Sequence, residues 1–201
     1  MRKLFTILAL GCALGMVACG GGGKTVTRID EKSTTDLSGK WNDTDSRLVA
    51  EEMITSCLHS AKIERVIGEM GRTPTIVIGK IRNKSHEHIS VETFVKDMER
   101  TLLNSEAVDF VANSAERAEL RNEVADQQGN ATEETAKDLH QETGADWMLT
   151  GTINTIVDQE GGKSVIFYQV DLELTDLQSH KKLWMGDKKI KKFVSQDSVK
   201  L

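Results

Sequence analysis

Residues able to bind a metal ion come together at one place in the sequence, His86-Glu87-His88. Two imidazoles two positions apart on a loop could share one metal ion. We favour a polar turn between a strand and a helix, because no cysteine is available as a partner for the two histidines. The sequence therefore predicts neither a metal site nor a bound cofactor.

Motifs of the common catalytic chemistries are not found in the sequence. It contains no Gly-rich phosphate loop with its Lys-Ser/Thr pair and no Gly-x-Ser-x-Gly nucleophile elbow. Carboxylates are plentiful, but none is embedded in an apolar stretch of the kind that raises a carboxyl pKa. We therefore predict no catalytic residue and a protein that is not an enzyme. A lipid-anchored hydrolase would need a pair of groups with shifted pKa values in a deep cleft.

The N-terminal segment has the pattern of a secretory signal peptide. Arg2 and Lys3 precede an apolar run over residues 4–14, and small residues follow it. The run is too short to span a bilayer with margin, so a retained transmembrane helix is the weaker interpretation.

Residues 16–19, Met-Val-Ala-Cys, resemble the lipobox of bacterial lipoproteins. The resemblance implies that residues 1–18 are removed and that Cys19 becomes the N-terminus, with a thioether-linked diacylglycerol. The alternative is an ordinary cleaved signal with a cysteine nearby by chance, but the glycines at 20–23 suit a flexible tether. More than one acyl chain is expected, and each buried CH₂ contributes about 0.8 kcal/mol to membrane binding.

Cysteine usage excludes a disulfide framework. The chain has three cysteines, of which Cys12 leaves with the signal and Cys19 is acylated. Cys57 is then alone, so a disulfide and a multi-cysteine zinc site are both excluded. We interpret Cys57 as a small buried apolar residue on a helix rather than as a reactive thiol.

Length and composition predict one soluble domain behind a tether. The chain has 201 residues, of which 38% are hydrophobic and 28% charged, and its net charge is −5. A net acidic chain is a poor candidate for nucleic-acid binding. We assign residues 19–43 to a lipid-anchored flexible tether, 44–194 to the domain and 195–201 to a tail. Fully extended, such a tether reaches about 80 Å, whereas its typical span as a coil is about 25 to 30 Å.

Hydrophobic periodicity predicts an α/β domain. Helices are expected at 45–59, 61–70, 91–103, 115–127 and 132–143, and strands at 75–81, 107–111, 146–157, 166–174 and 182–194. The clearest alternation places Ile166, Tyr168, Val170, Leu172 and Leu174 on one face of a strand, and Phe167, Gln169, Asp171 and Glu173 on the other. The element order indicates a single mixed β-sheet with flanking helices.

The last strand is basic in an otherwise acidic chain. Six lysines lie in or beside it: Lys181, Lys182, Lys188, Lys189, Lys191 and Lys192. They could form a docking strip for an acidic partner, an anionic polymer or lipid headgroups. We favour a solvated edge strand on which lysines prevent edge-to-edge aggregation.

Four stretches in this order, behind a lipobox, resemble the LpoB family of penicillin-binding protein activators. They are residues 36–46, residues 74–79 with 82–85, residues 144–151 and residues 181–184. The resemblance implies a fold similar to the N-terminal domain of TolB. It also implies an outer-membrane lipoprotein, on the periplasmic face, that binds and activates a class A penicillin-binding protein in peptidoglycan synthesis and catalyses nothing itself.

Arg82 and Asn83, in the loop predicted after the first strand, are the candidate partner-binding residues. Ordinary turn chemistry is an equally good interpretation of this pair. One feature departs from the family pattern, because its best-known members carry a long proline-rich linker and the tether here is short and contains no proline.

The alternative function is that of an accessory or structural lipoprotein of an outer-membrane export apparatus. The curli secretion lipoprotein CsgG looks similar to this fold family and shares the lipobox. It has a larger domain with membrane-inserting strands, and the sequence offers no additional amphipathic hairpin with an apolar face long enough to span a membrane.

Overall fold

The structure is a computed structural model, and it describes residues 25–195. The chain divides into two compact units, Met1–Ser33 and Thr34–Leu201. Residues 25–33 of the first unit contain a turn in which the Ser33 N–H donates to the carbonyl of Asp30, at 3.0 Å. The predicted signal, the acylation site Cys19 and tail residues 196–201 lie outside the described residues.

The second unit contains four helices and five strands among its described residues. In chain order they are α1 (Asp43–Leu58), α2 (Ala61–Met70), β1 (Thr75–Asn83), α3 (Val91–Asn104), β2 (Asp109–Phe110), α4 (Ser114–Asn130), β3 (Trp147–Glu160), β4 (Lys163–Asp176) and β5 (Lys182–Ser195). None of the described helices is long and apolar enough to cross a membrane.

The five strands form one mixed sheet in the order β2-β1-β3-β4-β5. β1 runs parallel to both β2 and β3, whereas β3, β4 and β5 form an antiparallel ribbon of three 14-residue strands. The prediction of an α/β fold with a single mixed sheet is confirmed. The likeness to the TolB domain stays a prediction.

The core lies between one face of the sheet and helices α1, α2 and α3. The predicted alternation in β4 is confirmed, since Ile166, Tyr168, Val170, Leu172 and Leu174 are all buried. Cys57 is buried on α1 as expected, and burial raises the pKa of its thiol to about 12.

Local signals placed most helix ends correctly. Asn42 caps α1 with a capping box, because its side chain accepts the N–H of Asp45 and the Asp45 carboxylate accepts the N–H of Asn42. Gly71 ends α2 in the left-handed conformation, with φ of 62°. The predicted polar helix is α4, and none of its residues is buried.

The predicted helix over 132–143 is wrong. Residues 131–146 form turns and irregular chain, and Gly144 does not take the positive φ expected of a helix C-terminus. Thr132 supplies a capping residue, but Leu139 is the only large apolar side chain in the segment and it is 47% exposed. A segment without an apolar face to bury gains too little from packing to stay helical.

Candidate interaction surface

Arg82 and Asn83 end β1 with their side chains on opposite faces of the sheet. The Asn83 amide oxygen accepts the N–H of Ser85 at 2.9 Å and its hydroxyl at 2.6 Å, and the amide nitrogen donates to the carbonyl of Glu87 at 2.8 Å. Asn83 therefore builds the turn that follows β1. Arg82 is exposed beside Thr152 of β3, and its side chain makes no hydrogen bond or ion pair within residues 25–195.

The turn is held by Glu87, whose carboxylate points inward. One oxygen accepts the hydroxyl of Tyr168 at 2.6 Å, and the other accepts the N–H of Trp41 at 3.1 Å. Burial and the Glu87 carboxylate both raise the pKa of Tyr168. No sequence pattern indicated this role, because a carboxylate between two histidines carries no signal of burial.

The two histidines beside Glu87 are exposed and do not converge on a common point with it. The His86 N–H donates to the Thr155 hydroxyl at 3.1 Å, and the His86 ring nitrogen Nδ1 lies 3.0 Å from the same oxygen. The described part of the chain contains no group of three or more potential metal ligands.

A segment over residues 36–42, which we call the N-terminal strap, contacts the domain, although the sequence predicts it to be part of the tether. The Trp41 ring packs edge-on against Phe94 and Tyr168, with centroids 6.0 and 5.6 Å away, and its Nε1–H donates to the Ser46 hydroxyl at 2.8 Å. Gly39 lies against Val194 of β5 with φ of 67°. The structure therefore places residues in contact with the domain before the predicted boundary at 43.

Lys192 of β5 joins the strap to α1. Its ammonium group lies 2.6 Å from the Asp45 carboxylate and 2.7 Å from that of Asp36, and it donates to the Lys40 carbonyl at 3.1 Å. The side chains of Lys192 and Asp45 are only 10% and 8% exposed. Burial acts to lower the pKa of Lys192, but the two carboxylates outweigh it and the pKa is raised.

Three more of the six basic-strand lysines are also paired internally. Lys182 pairs with Glu173, Lys188 with Glu52 and Lys189 with Asp187. Lys181 and Lys191 make no ion pair with any residue in 25–195. β5 is an edge strand of the sheet, as the favoured interpretation required. Of the six lysines, only Lys181 and Lys191 therefore have an ammonium group that is not paired with a carboxylate of the described residues.

The face of the ribbon opposite the core is open, and we call it the ribbon face. It carries the even-numbered side chains of β3 and the odd-numbered side chains of β4 and β5. The face begins at the row of paired residues Thr150, Glu173 and Met185 and extends to the turn between β3 and β4. The apolar side chains among these do not belong to the hydrophobic core. Thr152, Asp171 and Asp187 are paired across the three ribbon strands, and Arg82 of β1 lies beside Thr152 and continues this row onto a fourth strand.

The ribbon face is polar at its centre and apolar at its far end. The Asp171 carboxylate accepts Gln169 Nε2–H at 2.8 Å and Asn154 Nδ2–H at 3.3 Å. Beyond this network Ile156 is 66% exposed and Phe193 65% exposed. In the alternation predicted for β4, Phe167 already lay on the solvent-facing side, and it was the one feature of the sequence that indicated this apolar end.

A groove between α4 and the irregular segment after it does not have the features of a catalytic cleft. It is lined by Leu120, Val124 and Leu139 together with an ion pair between Arg121 and Glu142. The Arg121 guanidinium lowers the pKa of Glu142, and both side chains are about half exposed. This is the behaviour of a surface ion pair and not of a carboxyl poised as a general acid.

Comparison with protein families finds one match that spans most of the described domain. A family model described as "Peptidoglycan-synthase activator LpoB" matches residues 45–190, which is more than half of the chain. No curated protein sequence matches significantly.

Among solved structures, the chain is similar to the C-terminal domains of LpoB from Salmonella enterica and Escherichia coli. Each is 14% identical, the match covers 76% of this chain and 99% of that domain, and the TM-score is 0.42. Lipoprotein GNA1162 from Neisseria meningitidis is 17% identical, with 63% of this chain and 88% of that chain covered and a TM-score of 0.39.

Proposed function

Because the chain belongs to the LpoB family of peptidoglycan-synthase activators, we propose that it is a lipid-anchored regulator on the periplasmic face of the outer membrane. In this role it binds a class A penicillin-binding protein and stimulates glycan polymerisation and crosslinking. It acts as a binding protein and performs no chemistry itself.

The observation that carries this proposal is the extent of the family match. Residues 45–190 run from the first turn of α1 to the second half of β5, so the match includes the whole sheet except residues 191–195 at the end of β5. A match limited to one motif would support the fold alone. The open ribbon face and the exposed Arg82 provide surface on which a partner could bind.

The strap limits how far the domain can lie from the membrane. With residues 36–42 held against the domain, the tether from Cys19 is reduced to residues 19–35. Fully extended, this segment reaches about 55–60 Å, and its typical span as a coil is about 20–25 Å. The proposal therefore requires a synthase whose binding domain extends towards the outer membrane.

Activation is tested with the full-length chain in detergent and a class A synthase from the same host. Adding the chain should increase the rate at which the synthase polymerises lipid II. A synthase with an inactivated polymerase site is the control, and it should give no product with or without the chain. An unchanged rate together with no detectable binding would overturn the proposal.

The lipid anchor is tested separately with two cysteine variants. Cys19→Ser should abolish incorporation of labelled palmitate and release the chain from the outer-membrane fraction. Cys12→Ser is the matched control, because it removes a thiol from the same N-terminal segment. Equal labelling of the Cys19→Ser chain and the unaltered chain would exclude Cys19 as the acylation site.

A further inference from the structure

We propose that the far end of the ribbon face binds the synthase. The proposed docking surface consists of Ile156, Phe167 and Phe193 with the ammonium group of Lys191, and it fits an apolar surface that carries a carboxylate. This inference rests on the proposed function, and it adds the contact surface and the chemistry of the partner.

The apolar residues are neighbours across three strands. Ile156, Phe167 and Lys191 occupy one row of the sheet, and Phe193 lies in the next row, opposite Val165. Directly paired side chains on one face have Cβ atoms about 4.5–5.5 Å apart, and diagonal neighbours such as Phe167 and Phe193 are about 7–8 Å apart, within reach of aromatic rings. These residues therefore form a continuous patch. Scattered exposed apolar residues are normal on a monomer, whereas a contiguous patch indicates an interaction site.

The patch lies where the ribbon extends past the rest of the sheet. β1 ends at Asn83, which pairs with Ile153, so residues 154–160 of β3 have no neighbouring strand on that side within 25–195. The side chains of Ile156 and Phe193 take no part in the core and therefore contribute little to folding. The presence of large apolar side chains at these two exposed positions is better explained by contact with another molecule.

The opposite face of the same strands is braced, which makes the patch rigid. Thr155 bonds to the turn at His86, Gly39 of the strap lies against Val194, and Lys192 pairs with Asp45. Each of these contacts lies at the same end of the ribbon as the patch. A surface held in place before binding loses less conformational entropy when a partner associates.

The charges on the ribbon face indicate where the partner's carboxylate should lie. Lys189 is neutralised by Asp187, but Lys191 beside Phe167 has no carboxylate partner in the described residues. Asp158 and Glu160 occupy the β3 side of the same face and would repel an acid there. The partner should therefore place an apolar group over Ile156 and Phe167 and a carboxylate over β5, an arrangement that fixes its register.

The test compares two substitutions with two matched controls, one on the same strand and one directly before it. Phe193→Ala and Lys191→Glu are expected to weaken binding of the full-length chain to the synthase by about tenfold or more. Met185→Ala removes another apolar side chain on the same face, 64% exposed, in the row that begins at Thr150. Lys181→Glu reverses the charge of the other basic-strand lysine that has no ion pair in the described residues. Both controls should bind as the unaltered chain does.

Thermal unfolding of each variant shows whether the fold is intact. Because the substituted side chains are exposed, the midpoint of unfolding should change little. Unaltered binding by Phe193→Ala and Lys191→Glu, in an assay where the parent chain binds, overturns the docking surface but leaves the proposed function standing. No binding by the parent chain overturns both. A parent chain that self-associates through Phe193 assigns the patch to a second copy and also overturns the proposal.

Discussion

The ammonium group of Lys192, near the end of β5, lies 2.6 Å from the carboxylate of Asp45 in the first turn of α1. Asp45 also accepts the N–H of Asn42 in the capping box. One buried ion pair therefore connects the edge strand, the start of the first helix and the strap. The negative carboxylate at a helix N-terminus is further favoured by the helix dipole.

Removing the lysine of this pair should destabilise the domain strongly. Lys192→Met leaves the buried Asp45 carboxylate without its cation, and we expect a loss of about 3 kcal/mol in the free energy of unfolding. Lys188→Met is the control on the same strand, because its pair with Glu52 is more exposed and should cost at most about 1 kcal/mol. Urea unfolding measures both, and equal losses would contradict the structural role of Lys192.

Two glycine substitutions should change stability in opposite directions. A Cβ at Gly39 would overlap the Cγ2 atom of Val194, and φ there is positive, so Gly39→Ala should cost about 1–3 kcal/mol. Gly68 lies within α2 with no atom within 4 Å of a Cβ placed there, so Gly68→Ala should stabilise by about 0.5–1 kcal/mol. Thermal unfolding distinguishes them, and a stable Gly39→Ala chain would show that the strap does not pack on β5.

The neighbours Asn83 and Arg82 should behave differently in stability measurements. Asn83→Ala removes the bonds to Ser85 and Glu87 and should cost about 1–2 kcal/mol. The free energy of unfolding of Arg82→Ala should stay within about 0.5 kcal/mol of that of the parent chain, because the Arg82 side chain makes no hydrogen bond within the described residues. Chemical denaturation of the two variants checks this difference, and the opposite order would reverse the roles of the two residues.

Asp146 should contribute to acid unfolding. The bidentate bond from Arg72 lowers the pKa of this carboxyl, and the N–H of Thr75 supports the charged form at 2.8 Å. A carboxyl with a lowered pKa in the folded state stabilises the fold at pH above its ordinary value. That contribution is lost as pH falls from about 4 through the lowered pKa.

Asp146→Asn removes this contribution and is the variant that tests it. It should be less stable than the parent chain at neutral pH, and its stability should fall less steeply as the pH is lowered from about 5 to 2. Urea unfolding at several pH values gives both quantities. Parallel curves for the two chains would show that another carboxyl causes the acid sensitivity.

Features that depend on neighbouring residues could be predicted from the sequence. The ends of α2, the cap of α1 and the burial of alternate residues in β4 follow from capping chemistry and from hydrophobic periods of 3.6 and 2. The order of elements was enough to predict a mixed sheet. The helix predicted over 132–143 failed because its local capping signal had no apolar face to support it.

Contacts between distant parts of the chain were decided only by the tertiary structure. Lys192 pairs with Asp36 and Asp45, and Glu87 accepts hydrogen bonds from Tyr168 and Trp41. These residues are far apart in the sequence, so the hydrophobic periods of helices and strands could not predict the contacts. The division of Arg82 and Asn83 between two faces follows from strand alternation, but only register and packing show which face is open. A sequence specifies side-chain chemistry and local conformation, whereas burial and charge pairing arise when packing brings distant segments together.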